Sequence, residues 1–310
     1  MQALLDAAAA SPGAALATLA ALVGAAAFLA AAVARRARGA AAAPPAAWAD
    51  RRRPFVVLHQ FAPSRAGGRF SNSPFCAKVE AFLLLAGVPY EVRNSLSPHA
   101  RTGKLPFAQV FRPSAPEAPE VVADSSQIVA LLEAEPGAVG APAPPLAPAD
   151  AAAAHLLQRT LEESGYWALV RARWDSGAES HAFLARHYFG VPVFVAAAIT
   201  WLAGMRRTLW AQGAGRYSRA ELVRRTAADA AAVSQLLRGR ARGRFLFGSK
   251  APHSVDAAAF ALLDALTLDW NGNFLRVPEV LTPEIASYLE DVRDALQERD
   301  RERDRDRSVQ

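Results

Sequence analysis

Up to about Glu135, short apolar runs alternate with stretches of helical period; beyond it every periodic stretch reads helical. Phe55-Val56-Val57-Leu58 is a four-residue apolar run that reads as a strand. A helical pattern follows from Ser73 to Leu84-Leu85-Ala86-Gly87. Ser73 suits the N-cap, Pro74 the first helical position, and Gly87 with Pro89 the stop. Tyr90-Glu91-Val92 begins a second strand and Leu105-Pro106 opens a third. Val121-Val122 then leads into Asp124-Ser125 and a helix through about Glu133. Pro136 to Pro148, with Gly137, Pro142, Pro144 and Pro145, is a semi-stiff linker. Downstream, Ser218-Arg219-Ala220-Glu221 is a capping box opening a helix to about Arg238. Phe245-Leu246-Phe247-Gly248 leads to a further helix start at Pro252-His253-Ser254-Val255-Asp256.

Composition narrows the setting. The chain has 310 residues, enough for two ordinary domains or one large one, and a net charge of +6. Arginines cluster at Arg35-Arg36-Arg38 and Arg51-Arg52-Arg53, on either side of the end of an apolar N-terminus. Anionic lipid or a targeting receptor explains them better than nucleic acid, for which no motif is present. The single cysteine, Cys76, excludes an internal disulfide and fits a reducing compartment. Ala14 to Ala34 carries no charge and has the length of a bilayer helix. Its seven strong apolar residues give only roughly −2 to −4 kcal/mol towards insertion. As an anchor it leaves the folded part in the cytosol, because the arginines follow it. An organelle transit peptide and a secretory signal are the rival readings. A second uncharged stretch, Phe189 to Met205, contains Gly190 and Pro192 and is short for a span; a helix packed in the domain or lying at an interface is expected. The six histidines have no metal-ligand spacing. The ending Arg299 to Arg307 balances its charges and reads as a solvated helix extension or a disordered tail.

Ser73-Pro74-Phe75-Cys76, Lys104-Leu105-Pro106-Phe107, Asp124-Ser125 and Ser254-Val255-Asp256 occur in this order at spacings that resemble a glutathione transferase. Gln212-Gly213-Ala214-Gly215-Arg216-Tyr217-Ser218 is similar to the Gly-Arg signature of the failed-axon-connections (Fax) family, relatives of the metaxins. So is the run from Ser73 to Glu91, with "GKLPF" and "ADSSQI". The resemblance extends from Phe55 to Leu296. It implies an α+β fold: a thioredoxin-like N-terminal domain and an all-helical glutathione-transferase-like C-terminal domain, behind an N-terminal anchor helix. The corresponding division is anchor and tether 1–50, thioredoxin-like domain 51–137, linker 138–150, helical domain 151–298 and charged tail 299–310.

The resemblance also implies a glutathione site. Ser73 stands at the position of the catalytic Ser or Cys and can donate to the thiolate, helped by the helix dipole; its alternative is a plain N-cap. Cys76, in the first helical turn, is expected to be packed and unreactive rather than a mixed-disulfide nucleophile. Leu105 and cis-Pro106 would pair with the cysteinyl backbone, or merely begin an edge strand. Asp124 and Ser125 would hold the γ-glutamyl carboxylate at a helix start, or simply cap it. Lys104 is placed to reach a carboxylate, or is a solvated loop lysine. The proline-bearing insert Arg112 to Pro119 lengthens a hairpin and could cover or reshape the site. Ser218, Glu221 and Asp256 read as structural caps, with the Asp256 box altered at His253, so that Ser254 could take over the cap. Arg216 could pair with a carboxylate or a partner. The tryptophans Trp167, Trp174, Trp201, Trp210 and Trp270 read as helix core, with lining of an electrophile pocket as the alternative for some of them.

Two functions remain open. In the first, the protein binds glutathione, with weak or no transfer to an apolar electrophile. In the second it is a non-catalytic metaxin-like adaptor holding a protein partner on a mitochondrial or other cytosol-facing membrane.

Overall fold

The computed structural model describes residues 44–63, 69–95, 102–140, 143–175, 177–239, 243–267 and 280–309. The apolar run 14–34, the arginines at 35–38, His99 and Trp270 lie outside the described residues.

Strand β1 (Phe55–Gln60) can be continuously apolar because both of its faces are covered. Val56 and Leu58 join the main core with Val79, Phe82 and Leu83 of helix α1 (Pro74–Leu85). Phe55 and Val57, alternating to the other face, pack with Phe111 and Trp48. Trp48 donates its indole N–H to the Arg53 carbonyl at 2.9 Å, so the stretch read as a tether is part of the fold from at least this residue. Strand β2 (Tyr90–Asn94) runs parallel to β1 after the α1 crossover; β3 (Phe107–Arg112) and β4 (Ala115–Ala123) follow as an antiparallel hairpin on its other side. The sheet order is β2-β1-β3-β4, and α2 (Ser125–Ala134) packs beside α1.

The proline-bearing insert is not a loop but part of the β3–β4 hairpin. Arg112 pairs directly with Ala115, so Pro113 and Ser114 form a tight turn and the rest of the insert is strand β4 itself. Pro116 and Pro119 are tolerated there because β4 is the exposed edge of the sheet. Arg53 is spent within the fold, donating to the carbonyls of Gly87, Gly137 and Ala138, where α1 and α2 end. Within its cluster, Arg53 thus has a structural role in the fold.

The helical half begins with α3 (Pro148–Arg159), a π-helical turn (Thr160–Gly165) and α4 (Tyr166–Trp174). It continues with α5 (Ala178–Leu184), a second π-helical turn (Ala185–Phe189), α6 (Val193–Leu202) and α7 (Met205–Gln212). Helices α8 (Arg219–Arg238), α9 (Ser254–Thr267) and α10 (Pro283–Val309) complete it. Almost every residue of α9 from Val255 to Leu266 is buried, and this helix packs against α1, α3 and α10. The apolar core is therefore continuous across both halves.

Local chemistry explains the helix starts. Ser218 Oγ accepts from the Glu221 N–H and the Glu221 carboxylate accepts from the Ser218 N–H, closing the capping box of α8. Asp256 is fully buried and accepts from the backbone N–H groups of Leu246 (2.8 Å) and His253 (2.9 Å) and from the Tyr288 hydroxyl (3.1 Å). Because α9 starts at Ser254, His253 holds the cap position, and the cap does not move to Ser254. The His253 ring instead lies 3.0 Å from the Pro144 carbonyl, tying the linker to this helix. The Gly-Arg segment is a helix stop: Gly213 has φ +114°, and a Cβ on Gly215 would lie 2.7 Å from the Trp210 nitrogen. Among the described residues Arg216 donates to the Trp210 carbonyl at 3.1 Å and lies over the Trp210 ring, rather than pairing with a carboxylate.

Candidate functional site

The strand register brings the separate motifs together. His59 of β1 pairs with Phe107 of β3, and Phe107 pairs with Ala123 of β4. This single row is the edge where the chain leaves β1 on its way to Ser73, where Leu105-Pro106 enters β3, and where β4 passes into Asp124-Ser125. With strands about 4.8 Å apart, the row spans about 10 Å, the length of an extended tripeptide. The Leu105–Pro106 bond is cis and both residues are buried.

Ser73 is at the N-cap position of α1 in extended conformation, but its hydroxyl makes no cap hydrogen bond. The hydroxyl is a partner of the Cys76 thiol instead, while the Ser73 N–H donates to Ser71 Oγ at 3.2 Å. Cys76 is fully buried. Burial pushes its thiol above the ordinary range, against opposing hydrogen bonds from Phe61, Ser73 and Ser71. A thiol so placed is held protonated and shielded from electrophiles.

Asp124 caps α2, accepting from the N–H groups of Ser126 (2.9 Å) and Gln127 (3.3 Å). Its φ of +83° sits where non-glycine residues are uncommon, so the chain is bent sharply into the helix here. Ser125 is buried, with its hydroxyl 3.5 Å from the Lys78 ammonium. Lys104 is exposed at the rim.

The most consequential residue here was passed over in the sequence. Lys78 rises from α1 into the interior, where it is almost completely buried. Its ammonium donates to Ser126 Oγ at 2.9 Å and pairs with Glu162 at 2.7 Å. Glu162 comes from the π-helical turn of the helical half and also accepts from Gln158 and Arg159. The available signal was a charge inside the otherwise apolar run Pro74 to Leu85, which only Lys78 and Glu80 interrupt.

The helical half also fixes the loop before Ser73. Arg173, buried, donates to the Asn72 carbonyl at 2.7 Å and to the Tyr188 hydroxyl at 2.9 Å, and the Asn72 amide donates to the His187 carbonyl at 3.2 Å. Beside this loop Phe75 meets Tyr166 at 4.7 Å and Tyr166 meets Trp167 at 5.3 Å, an aromatic wall. Burial raises the phenol pKa of Tyr166 and Tyr188, keeping both neutral. A cavity of 610 Å³ lies at the opposite edge of the sheet, lined by Trp48, Phe55, Tyr90 and Arg303, and is remote from these residues.

Known proteins agree on the architecture. A model of the glutathione S-transferase N-terminal domain matches residues 74–180. The beta-etherase LigF of Sphingobium superposes with a TM-score of 0.53 at 15% identity, over 80% of this chain and 99% of that one. The glutathione transferase GSTFuA3 of Phanerochaete chrysosporium does so with a TM-score of 0.52 at 13% identity, over 78% and 96%. GSTFuA2 of the same organism gives 0.51 at 13% identity, over 77% and 97%. The chain is glutathione-transferase-like in fold: a thioredoxin-like sheet unit joined to a helical one.

Proposed function

We propose that this chain binds glutathione along the His59–Phe107–Ala123 row, with weak or no transferase turnover, as a membrane-anchored protein of the Fax and metaxin type. The observation that carries the reading is the convergence of Ser73, Leu105 and Ser125 on one sheet edge about a tripeptide long. The γ-glutamyl carboxylate would sit at the N-terminus of α2, where Ser125 and the Lys78 ammonium lie close together. The Leu105 backbone would pair with the cysteinyl residue, and Lys104 offers a positive charge at the rim for the second carboxylate. Ser73 would face the thiol and stabilise its thiolate with the help of the α1 dipole. Phe75, Tyr166 and Trp167 are suited to an apolar electrophile. Weak turnover follows from the Ser73 hydroxyl, which is engaged with Cys76, and from a loop held tightly by Arg173. The anchor is residues 14–34, whose uncharged run ends at Arg35-Arg36 and so favours domains facing the cytosol.

The test is calorimetric titration with glutathione, together with thiolate absorbance against pH. Ser125→Ala should weaken binding by about 1.5–3 kcal/mol, since its contact is to a charged carboxylate in every thiol state. Ser73→Ala should leave binding at low pH nearly intact and raise the pKa of the bound thiol, because its contact matters for the thiolate. No heat at millimolar glutathione would overturn the binding reading in favour of the adaptor.

A further inference from the structure

Helices α6 and α7 carry large apolar side chains left mostly uncovered by the described residues. Phe194 is 74% exposed, Trp201 78%, Trp210 60% and Val193 48%, among the most exposed large apolar side chains of the described residues. On α6, Trp201 follows Phe194 by seven residues and Val193 by eight, which puts it on the same side of the helix as they are. Trp210 stands four residues after Arg206 on α7, so the aromatic and the cation share a side there. Several exposed aromatic rings on two successive helices are uncommon on a protein surrounded only by water.

Charge identifies the occupant. From Ser180 to Ala220 the sequence has no Asp or Glu and five arginines: Arg186, Arg206, Arg207, Arg216 and Arg219. Arg186, Arg206 and Arg207 are exposed. Of these, Arg206 pairs with Asp175, which Arg171 also holds, so its charge is only partly compensated. An apolar surface with arginine in excess beside it matches an anionic lipid surface, in which aromatic rings lie at headgroup level and arginines meet phosphates. Spanning is excluded by length: α6 has 10 residues, about 15 Å against an apolar thickness of about 30 Å. No single helix among the described residues is long and apolar enough to cross a membrane, and the one pair that passes together, Ser180–Phe189 with Val193–Trp201, is bent by 98°.

We infer that the α6–α7 face docks in the headgroup region of an anionic bilayer, with Phe194, Trp201 and Trp210 inserted and Arg206 and Arg207 on the phosphates. This contact is separate from the N-terminal run and from glutathione binding, and it stands if either of those fails. It would orient the helical half against the membrane.

The experiment uses the full chain. Trp201→Cys, and as a control Val121→Cys on the exposed edge strand β4, are labelled with an environment-sensitive fluorophore; the native Cys76 is buried. Vesicles are phosphatidylcholine, with or without phosphatidylserine, carrying nitroxide lipids. The label at 201 should shift to the blue and be quenched on the anionic vesicles only, reversibly with salt, while the label at 121 stays in water. Arg206→Gln with Arg207→Gln should weaken that contact roughly 30-fold. Phe194→Glu should abolish it, with an unchanged circular dichroism spectrum. A label at 201 that remains in water while the protein sediments with vesicles would overturn the inference, because the N-terminus alone would then account for attachment. Equal quenching at 121 and 201 would overturn it, as would shielding of 201 without lipid accompanied by a doubled mass.

Discussion

Asp256 and Glu80 are both buried carboxyl groups whose pKa burial raises, yet their surroundings differ. Asp256 accepts from two backbone N–H groups and a tyrosine hydroxyl, a set that follows from helix-start chemistry. Glu80 accepts from the Gln60 amide at 2.6 Å and from Arg69 at 3.5 Å, while Gln60 Oε1 is buried without a partner. With its folded pKa raised above the ordinary 4.5, Glu80 binds more protons in the native than in the unfolded state as pH climbs through that interval. Stability therefore falls with rising pH there and stays lower at neutrality. Glu80→Gln removes the charge and provides an N–H that can reach Gln60 Oε1. Urea unfolding should show this variant at least as stable as the parent at pH 7, with a flatter profile above 4.5, whereas Glu80→Ala should be clearly less stable. A loss of more than about 1 kcal/mol in Glu80→Gln at pH 7 would mean that the Arg69 ion pair outweighs desolvation. Asp256, Ser218 and Glu221 were legible because a cap acts over three residues. Glu80 and Lys78 were not, because a buried charge is defined by partners distant in sequence.

Elements built from local rules are where sequence and structure agree most closely. β1, α1, β2, α2 and α8 lie where the apolar runs, the Ser73-Pro74 start, the Gly87 stop and the Ser218–Glu221 box put them. β4 was obscured by its prolines, which usually mark loops and are tolerated only because this strand is an edge. Trp201 and Trp210, read as core, are exposed because helical period alone does not tell which side meets a neighbour. The π-helical turn Thr160–Gly165 was hidden for the same reason, although it delivers Glu162 to Lys78 across 84 residues of sequence. This pair gives the element scale its prediction. Glu162→Leu leaves the buried Lys78 ammonium without its ion-pair partner and should cost about 3–5 kcal/mol, whereas Lys78→Met leaves Glu162 still held by Arg159 and Gln158 and should cost less. The double variant should cost far less than the sum, since apolar groups of similar volume then meet. Denaturant unfolding of all four proteins measures the coupling. Additive losses would show that the pair is open to water. In glutathione titrations, Lys78→Met should also weaken binding under the proposed reading.

At the scale of the whole molecule the halves are joined more intimately than the proline-rich linker suggests. One core runs through α1, α9 and α10, and Tyr288, Leu289, Val292 and Leu296 carry it along α10. From Arg299 to Arg307 the balanced charges read as a solvated helix extension or a disordered tail, but the helix continues onto the sheet domain. Asp300 pairs with Arg69 at 2.9 Å, and the Arg303 guanidinium lies over the Tyr90 ring at 4.6 Å. Arg299 and Arg303 also wall the cavity beside Trp48. Charge pattern could not reveal this, because the same Arg-Asp repeat serves equally in water or against a partner. Truncation after Glu298 separates the two accounts, since it spares the core of α10 and removes only the docked turns. One half-exposed ion pair and one cation–π contact sum to about 1–3 kcal/mol. At about 2–4 °C per kcal/mol for a protein of this size, thermal unfolding should fall by about 2–12 °C. It should remain a single transition, because the continuous core still joins the halves. Hydrogen exchange should rise at β2 and around Arg69, with α9 unchanged. A truncated protein melting with the parent, and protected alike at Tyr90, would return the tail to the solvent.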